Sequence, residues 1–589
     1  MKLNIKSIFE YLLIVLIWVI IFGRNLFSNL AFLDFVQPTF FDLSKNLFLS
    51  EYHYNFYFFD LIKLPLTFLG LGHLLFTFST LLAMLISYFY IKKITLIETH
   101  SEHDSQRFAL IFALIFFFNP FVYSRIMVGQ IGVLLSYLLM PVFIYYTFEL
   151  FENNFSLKSL LKLTLVFTIV SSFSTQFFVL NFIILIVSAI WFLFYKSSKR
   201  EIKHNLKKIV LAILFFLVIS FLLNAHWLFG MFSTDSIFNK IDASHESFFA
   251  PKLSQGIPAV AKIIGMWGFW RESGYMTTFK ELPSFLWYSC LVILTALMFL
   301  GYFFNHENKK AKIFYTLWWI GVLFATGISH PLTSPIFDFL FKNLPLFNGF
   351  RDSHKFVSLV ALSYAFLCPM AVIAIKNKLK SSKINKLTFS ILIALFLMFI
   401  LCYTFPLAGL NNQLKPVKFT NSYYQVNDFL NRQNTENSYI IYLPWQTYLT
   451  YNWTINSSSD GRIANPINSI IEKPVLQGPD RWGNDNSLTK PITDCINKKE
   501  VSCLENAGVS FIIKDKCAYY LDGYEWIDLS SRAEPVLNTD CLDIYKLNNK
   551  PIVKPSVPLR FILGILISLL TLIGILFVLF VKSDKKQKI

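Results

Sequence analysis

Long uncharged apolar runs alternate with short polar segments along most of the chain. A helix needs about 20 apolar residues to cross a bilayer. The pattern predicts twelve crossings, near 8–23, 70–91, 108–120, 131–148, 160–173, 177–195, 209–229, 284–304, 313–329, 356–375, 387–407 and 561–581. Two places depart from regularity. The 108–120 segment is short and ends at Asn119-Pro120, a pair that breaks a helix. The uncharged stretch 163–195 would be about 50 Å long as one helix, too long for one crossing and short for two. It predicts two short helices meeting at "SSFSTQ", a break tolerated where it lines a cavity or packs inside the protein.

Past residue 407 the pattern changes. Residues 408–558 are rich in Asn, Asp, Ser and Tyr, and their length of about 150 residues is that of a common domain. A helix is expected at "YYQVNDFLNRQ", strands at "SYIIYLPW", "SFIIKD" and "CLDIYKL", and a short helix ending at "LENAGV". The expected organisation is a transmembrane domain over 1–407, a soluble α/β domain over 408–558, and a last transmembrane helix with a basic tail over 559–589. The fold class is an α-helical polytopic membrane protein of about 12 transmembrane helices carrying one extracytoplasmic α/β domain.

Composition agrees. Of 589 residues, 55% are hydrophobic and only 15% charged, against about a quarter charged in soluble domains. The net charge of +17 would suit nucleic acid, but the cations are not spread at random. They cluster at Lys92-Lys93, 196–208, 309–312, 376–386 and 582–588, all on one side of a twelve-crossing topology. Cytoplasmic loops collect Lys and Arg, so the expected partners include membrane lipids and no nucleic acid. The expected location is the cytoplasmic (plasma) membrane, multi-pass, with both termini cytoplasmic and 408–558 extracytoplasmic. The first apolar run follows Lys2 and Lys6, as in a signal peptide, but Arg24-Asn25 follow it instead of a small-residue cleavage site, so a retained helix is expected.

Cys290, Cys368 and Cys402 fall in expected membrane helices, whereas Cys495, Cys503, Cys517 and Cys541 all fall in 408–558. Four cysteines on an oxidising side suggest two disulfides. Cys495–Cys503 with Cys517–Cys541 is the expected pairing among the three that sequence allows. Asn452 and Asn456 begin N-glycosylation sequons.

No phosphate-binding Gly-rich loop, HExxH, paired CxxC or GxSxG occurs, so nucleotide-driven transport and zinc hydrolysis lack support, and no cofactor is expected. The candidate chemistry lies in polar residues at the outer helix ends. In "LDFVQPTFFD", Asp34 and Asp42 are eight positions apart, within about 80° of each other on one helix. A carboxylate at a membrane edge is costly unless solvated or paired, and there it can act as a general base towards a hydroxyl. The plainer reading is a solvated loop Asp at 34 and a cap of "LSKNLFL" at 42; Glu51, His53 and Asp60 are further options.

In "FFNPFVYSRIMVGQIG", Arg125 can grip a phosphate through paired hydrogen bonds or snorkel to headgroups. Gln130 between Gly129 and Gly132 allows close approach of a ligand or of another helix. In "FNGFRDSHKF", Arg351, His354 and Lys355 beside Asp352 suit a lipid-linked phosphate or a capping ion pair. Trp227 in "NAHWLFG", and Trp267 and Trp270 in "GMWGFWRESG", suit an interfacial belt. With Arg271 and Glu272, the last two also suit a platform for a sugar ring.

Together "LDFVQP", "NPFVYSRIMVGQIG", "NAHWL", "GFRDSHKF", "LPWQTY", "LENAGVSFIIKD" and "LDIYKLNN" resemble the C-type (GT-C) membrane glycosyltransferases, in particular the arabinofuranosyltransferase-like and uncharacterised large membrane proteins of bacteria and archaea. The resemblance implies transfer of a sugar from a polyprenyl-phosphate donor to an extracytoplasmic glycan or glycoprotein acceptor. It implies Asp34 as the base, ahead of Asp42, and Arg125 and Arg351 at the lipid phosphate, with the 408–558 domain helping to bind the acceptor. Some members carry two acids one residue apart in the first loop and bind a divalent metal; no such DxD pair is present in this loop, and no metal is expected. Two other classes remain open, a lipid-linked-sugar flippase or transporter and a glycan polymerase or ligase. The first would favour matched interrupted helices in two halves, which the sequence does not show.

Overall fold

In the computed structural model the described residues are 5–26, 28–39, 58–98, 102–195, 199–231, 241–252, 257–271, 284–344, 347–379, 414–454, 462–479, 485, 487–519, 523–552 and 559–580. Among them nine helices are long and apolar enough to cross a membrane, or ten if the bent pair Asp104–Phe117 and Pro120–Val128 is one span. Leu157–Phe173, with 17 residues, falls just short of a full crossing. The expected 387–407 span lies outside the described residues. The expected break at "SSFSTQ" falls at Ser174-Thr175, where Leu157–Phe173 ends and Gln176–Phe194 begins.

The span Ser353–Lys378 is the axis of the bundle. Its apolar window is 94% buried, against 17% for the peripheral Leu559–Phe580. Leu559–Phe580 is apolar all round, as a lipid-facing helix must be. The helix Val357–Leu379 packs against Glu102–Phe117, Ser284–Phe304 and Lys309–Thr326. At Gly301 a Cβ would come within 2.0 Å of the Leu367 carbonyl oxygen, so glycine is what lets Ser284–Phe304 approach the axis this closely.

Ion pairs join the helix ends that carry the basic clusters. Lys92 pairs with Glu10, Lys376 with Asp104, Lys310 with Glu152 at 3.1 Å and Lys162 with Glu149 at 3.0 Å. Asp352 precedes the same axial helix that Lys376 ends. At 1.5 Å per residue these two positions are about 35 Å apart, a full bilayer core. The polar cluster around Asp352 is therefore at the opposite end of the bundle from the basic rim.

At that end sits a sheet domain. Its four-stranded sheet has the order β1 (Tyr439–Leu443), β4 (Val509–Asp515), β6 (Leu542–Lys546), β5 (Glu534–Asn538), with β1 and β4 parallel and the others antiparallel. Strand β4 is buried at every residue. Its side chains feed two cores: Phe511 and Ile513 enter one and Ile512 the other, which Val509 joins across a register irregularity at the start of the strand. The helix Asn421–Asn431 covers the first face with Tyr423, Val426 and Leu430. Lys490–Lys498 and Val501–Asn506 cover the second with Ile492 and Leu504. A separate two-stranded piece pairs β2 (Tyr448–Thr450) with β3 (Arg462–Ala464). The structure joins Cys495 to Cys503, tying the two covering helices, and Cys517 to Cys541, tying the exit of β4 to the start of β6. Cys290 and Cys368 are buried free thiols, and Cys402 lies outside the described residues.

Asp515 ends β4 inside the first core. The hydroxyls of Tyr423 and Tyr442 donate to its Oδ2 at 2.8 and 2.5 Å, and the amides of Cys517 and Ala518 to its Oδ1 at 2.8 and 3.1 Å. Burial nevertheless pushes its carboxyl up to about 6. In the unfolded chain an Asp titrates near ~4, so between about pH 4 and 6 the folded state binds more protons, and stability falls as pH rises through that window. The loss from this group on going to neutral pH is on the order of 3 kcal/mol. Melting of the full-length protein from pH 4 to 8 should show this decline, and Asp515→Asn should flatten it. An unchanged slope in that variant rules the account out.

Candidate active site

Residues 28–39 form a tight hairpin wedged between the bundle and the sheet domain. Its two arms are joined through the Ala31–Val36 bridge and by the Phe32 amide, which donates to the Phe35 carbonyl at 2.7 Å. Leu33 and Asp34 are therefore the tip. The apolar residues divide between two hosts. Phe32 and Leu33 enter the bundle core, Phe32 stacking on Phe76 at 5.1 Å, while Ala31 and Val36 enter the sheet-domain core. Backbone bonds fix both sides: Val417 donates to Asn29 at 2.8 Å, Thr39 to Ser469 at 2.7 Å and Asp34 to Val128 at 2.9 Å. Asp34 is thus carried on a clamped turn, and not on a helix. Asp42, with Glu51 and His53, lies outside the described residues.

The second wall begins at the Asn119-Pro120 break. Asn119 caps the helix Pro120–Val128 by accepting from the Val122 amide at 3.0 Å. This short helix bends 43° from the preceding one and ends at Gly129 with φ 78°, a left-handed cap. A Cβ at Gly129 would lie 2.4 Å from the Phe32 Cβ. Gly129→Ala therefore combines backbone strain with a collision against the Asp34 hairpin, costing about 1–3 kcal/mol. It should lower the melting transition and reduce activity together; a variant as stable and active as the wild type contradicts this packing.

Arg125 is fully buried on that short helix. Its Nη1 donates to Asp352 Oδ2 at 2.9 Å and to Gln130 Oε1 at 2.5 Å, and its Nη2 to His354 Nδ1 at 2.7 Å. The guanidinium lies over the rings of Phe121 and Phe269 at 4.9 and 4.5 Å. A guanidinium has donors only, so His354 accepts at Nδ1 and its ring is neutral. The same logic orients Gln130. Its oxygen faces Arg125, so its amide nitrogen turns to Asp34 and donates to Oδ2 at 2.9 Å. Asp352, Arg125, Gln130 and Asp34 form one chain of hydrogen bonds.

Asp34, Gln130 and Asp352 border a cavity of about 350 Å³, towards the small end of ligand sites, roughly 300–1,000 Å³. Asp34 keeps an open face to it although protein surrounds the carboxylate on its other sides. Loss of hydration raises the Asp34 carboxyl above its usual range, against the opposing pull of Gln130, Arg271, Lys355 and Arg125. The wall also holds Gln130, Trp270, Arg271, Arg351, Asp352 and Lys355. Trp270 packs on Phe249 at 4.8 Å and carries Arg271 over its ring at 5.4 Å; Arg351 lies over Phe249 at 4.9 Å. Asp352 Oδ1 is buried without a hydrogen-bond partner.

The sequence-based site is thus partly assembled and partly rearranged. Asp34, Gln130, Trp270, Arg271, Arg351 and Lys355 meet at one cavity. Arg125 and His354, expected at a lipid phosphate, lie behind Asp352, their polar atoms turned to one another. Trp267, expected as a sugar platform, is buried edge-on against Tyr123 at 5.9 Å. Three wall residues were not singled out from sequence: Asp352 as a wall group in its own right, and Tyr448 and Arg462 from the β2–β3 piece. The Tyr448 hydroxyl points at Asp34 Oδ1 at 3.5 Å. Tyr448 ends the "LPWQTY" piece, which was the available signal; nothing in sequence marked Arg462. Among the described residues no group of three or more His, Cys, Asp or Glu side chains is placed to hold a metal ion.

The helical bundle, the clamped first hairpin and the sheet domain over the cavity define a GT-C-like polytopic membrane fold. No family model matches the chain, and no curated protein matches it. Among solved structures, the arabinofuranosyltransferase AftD from Mycobacteria is similar over 93% of this chain and 42% of its own, with a TM-score of 0.58 and 10% identity. The oligosaccharyltransferase of Archaeoglobus fulgidus is similar over 86% of this chain and 68% of its own, with a TM-score of 0.41 and 11% identity. The chain therefore spans less than half the length of the arabinofuranosyltransferase it resembles.

Proposed function

We propose that this protein is a membrane glycosyltransferase that moves a sugar from a polyprenyl-phosphate donor to a hydroxyl of a glycan or glycoprotein acceptor. The observation that carries this reading is one cavity in which a carboxylate of raised proton affinity faces Arg351 and Lys355, at the bundle end opposite the basic rim. Cytoplasmic placement of that rim makes the cavity extracytoplasmic, in reach of a lipid-linked sugar in the outer leaflet.

The donor phosphate binds Arg351 and Lys355, and its sugar lies against Trp270. Asp34 takes the proton of the acceptor hydroxyl as its oxygen bonds to the anomeric carbon. The bond from that carbon to the phosphate oxygen breaks, and the electron pair leaves on the polyprenyl phosphate. The two cations stabilise the charge gained there. A carboxylate with a raised pKa that remains ionised is a stronger base for this step.

Capture of undecaprenyl phosphate by the purified full-length protein tests the donor half. Arg351→Gln and Lys355→Gln should each weaken capture about tenfold, the effect of losing one charge-assisted hydrogen bond. Capture unchanged in both variants removes the phosphate from this cavity.

A further inference from the structure

Four cationic side chains line the cavity, Arg271, Arg351, Lys355 and Arg462, and they come from different walls. Arg351 and Lys355 flank Asp352 at the head of the axial helix, and the charges felt at Lys355 are those of Asp352, Arg125, Arg351 and Asp34. Asp352 is itself matched by Arg125 at 2.9 Å. This is one coupled cluster, and it is where the reading above puts the donor phosphate.

Arg462 belongs to a different wall. It comes from β3 of the sheet domain, is exposed, and lies over the ring of Tyr448 at 6.0 Å. The Tyr448 hydroxyl is the group aimed at Asp34 Oδ1. Arg462 therefore belongs to the wall that the sheet domain contributes, beside the ring whose hydroxyl is aimed at Asp34. β2 and β3 are held there by the bond from the Ala464 amide to the Phe32 carbonyl at 3.3 Å, next to the hairpin tip. An acceptor whose hydroxyl reaches Asp34 from this side meets an aromatic face and a guanidinium together.

We propose that the acceptor occupies this Tyr448–Arg462 wall and is an anionic saccharide, its carboxylate or phosphate paired with Arg462 and one ring against Tyr448. The inference rests on the transferase reading and adds the acceptor's chemical class. A planar guanidinium takes a carboxylate or a phosphate through two parallel hydrogen bonds, and the neighbouring ring supplies the flat apolar face that a pyranose needs.

The test uses three probes on the purified full-length protein, read by quenching of tryptophan fluorescence: tetragalacturonate, phosphorylated maltotetraose and plain maltotetraose. The acidic probes should bind at least tenfold tighter than plain maltotetraose, and the stronger of the two identifies carboxylate or phosphate. Arg462→Gln should weaken the acidic probes about tenfold, Arg462→Lys should restore part of the loss, and undecaprenyl phosphate capture should be unchanged in both. A melting transition equal to the wild type confirms the fold of each variant. Equal binding of acidic and neutral probes, no binding of either acidic probe, or no effect of Arg462→Gln overturns the proposal. Failure of the donor reading shows separately, as undecaprenyl phosphate capture insensitive to Arg351→Gln.

Discussion

Asp34→Asn should abolish sugar transfer in membranes while leaving donor capture and folding in place. A positioned general base contributes about 10²–10⁴-fold, so the expected loss in kcat is of that size. The substitution is close to isosteric. Asn oxygen still accepts from the Gln130 amide that now donates at 2.9 Å, and the Asp34 amide still donates to Val128 at 2.9 Å. The hairpin should keep its clamp, so a loss of activity reads as lost basicity and not as a displaced loop. The split between constants makes the distinction sharp: a base acts in the transition state and lowers kcat, whereas damage to the donor site raises KM. Activity within threefold of the wild type would remove Asp34 from the reaction.

How far this site was legible follows from what each signal depends on. Apolar runs long enough to span a bilayer are a property of local composition, so the bundle, the broken 163–195 stretch and the break at Asn119-Pro120 were readable. The short apolar run in "SFIIKD" announced a strand, and it is the buried β4. Strand β5 (Glu534–Asn538) was not readable, because its "EPVLN" carries a proline and little apolar alternation.

The site mixes both cases. Asp34, Arg351 and Lys355 stood out because charge is rare beside a membrane helix. The same rarity misplaced Arg125: from one dimension a lone Arg in an apolar context looks like a ligand-binding group, and only the fold shows that Asp352, 227 positions away, faces it. Tyr448 and Arg462 are ordinary residues in a soluble domain, and they become part of the site only because the 28–39 hairpin is gripped by that domain.

Arg125 carries the second large effect, and it is one of stability and positioning. Burial by itself would push the Asp352 carboxyl up, but Arg125 and Lys355 outweigh it and hold it below its usual range, ionised. Replacing Arg125 by Leu leaves that carboxylate buried with its main partner gone, and strips the donors from Gln130 Oε1 and His354 Nδ1 as well. Breaking one side of a buried pair costs about 3–5 kcal/mol, so Arg125→Leu should melt well below the wild type in detergent. The double variant Arg125→Leu with Asp352→Leu removes both charges and should recover much of that loss, since an apolar pair of similar volume is often no worse than a buried ion pair. Activity should not return with stability. Without Arg125 the Gln130 oxygen loses its anchor, so Gln130 is held at Asp34 by a single hydrogen bond, and the cavity wall has lost the Asp352 carboxylate. Recovery of melting without recovery of transfer separates the two roles of the network. An Arg125→Leu variant that melts like the wild type, or a double variant that regains full transfer, would show that this chain of hydrogen bonds holds neither the fold nor the base.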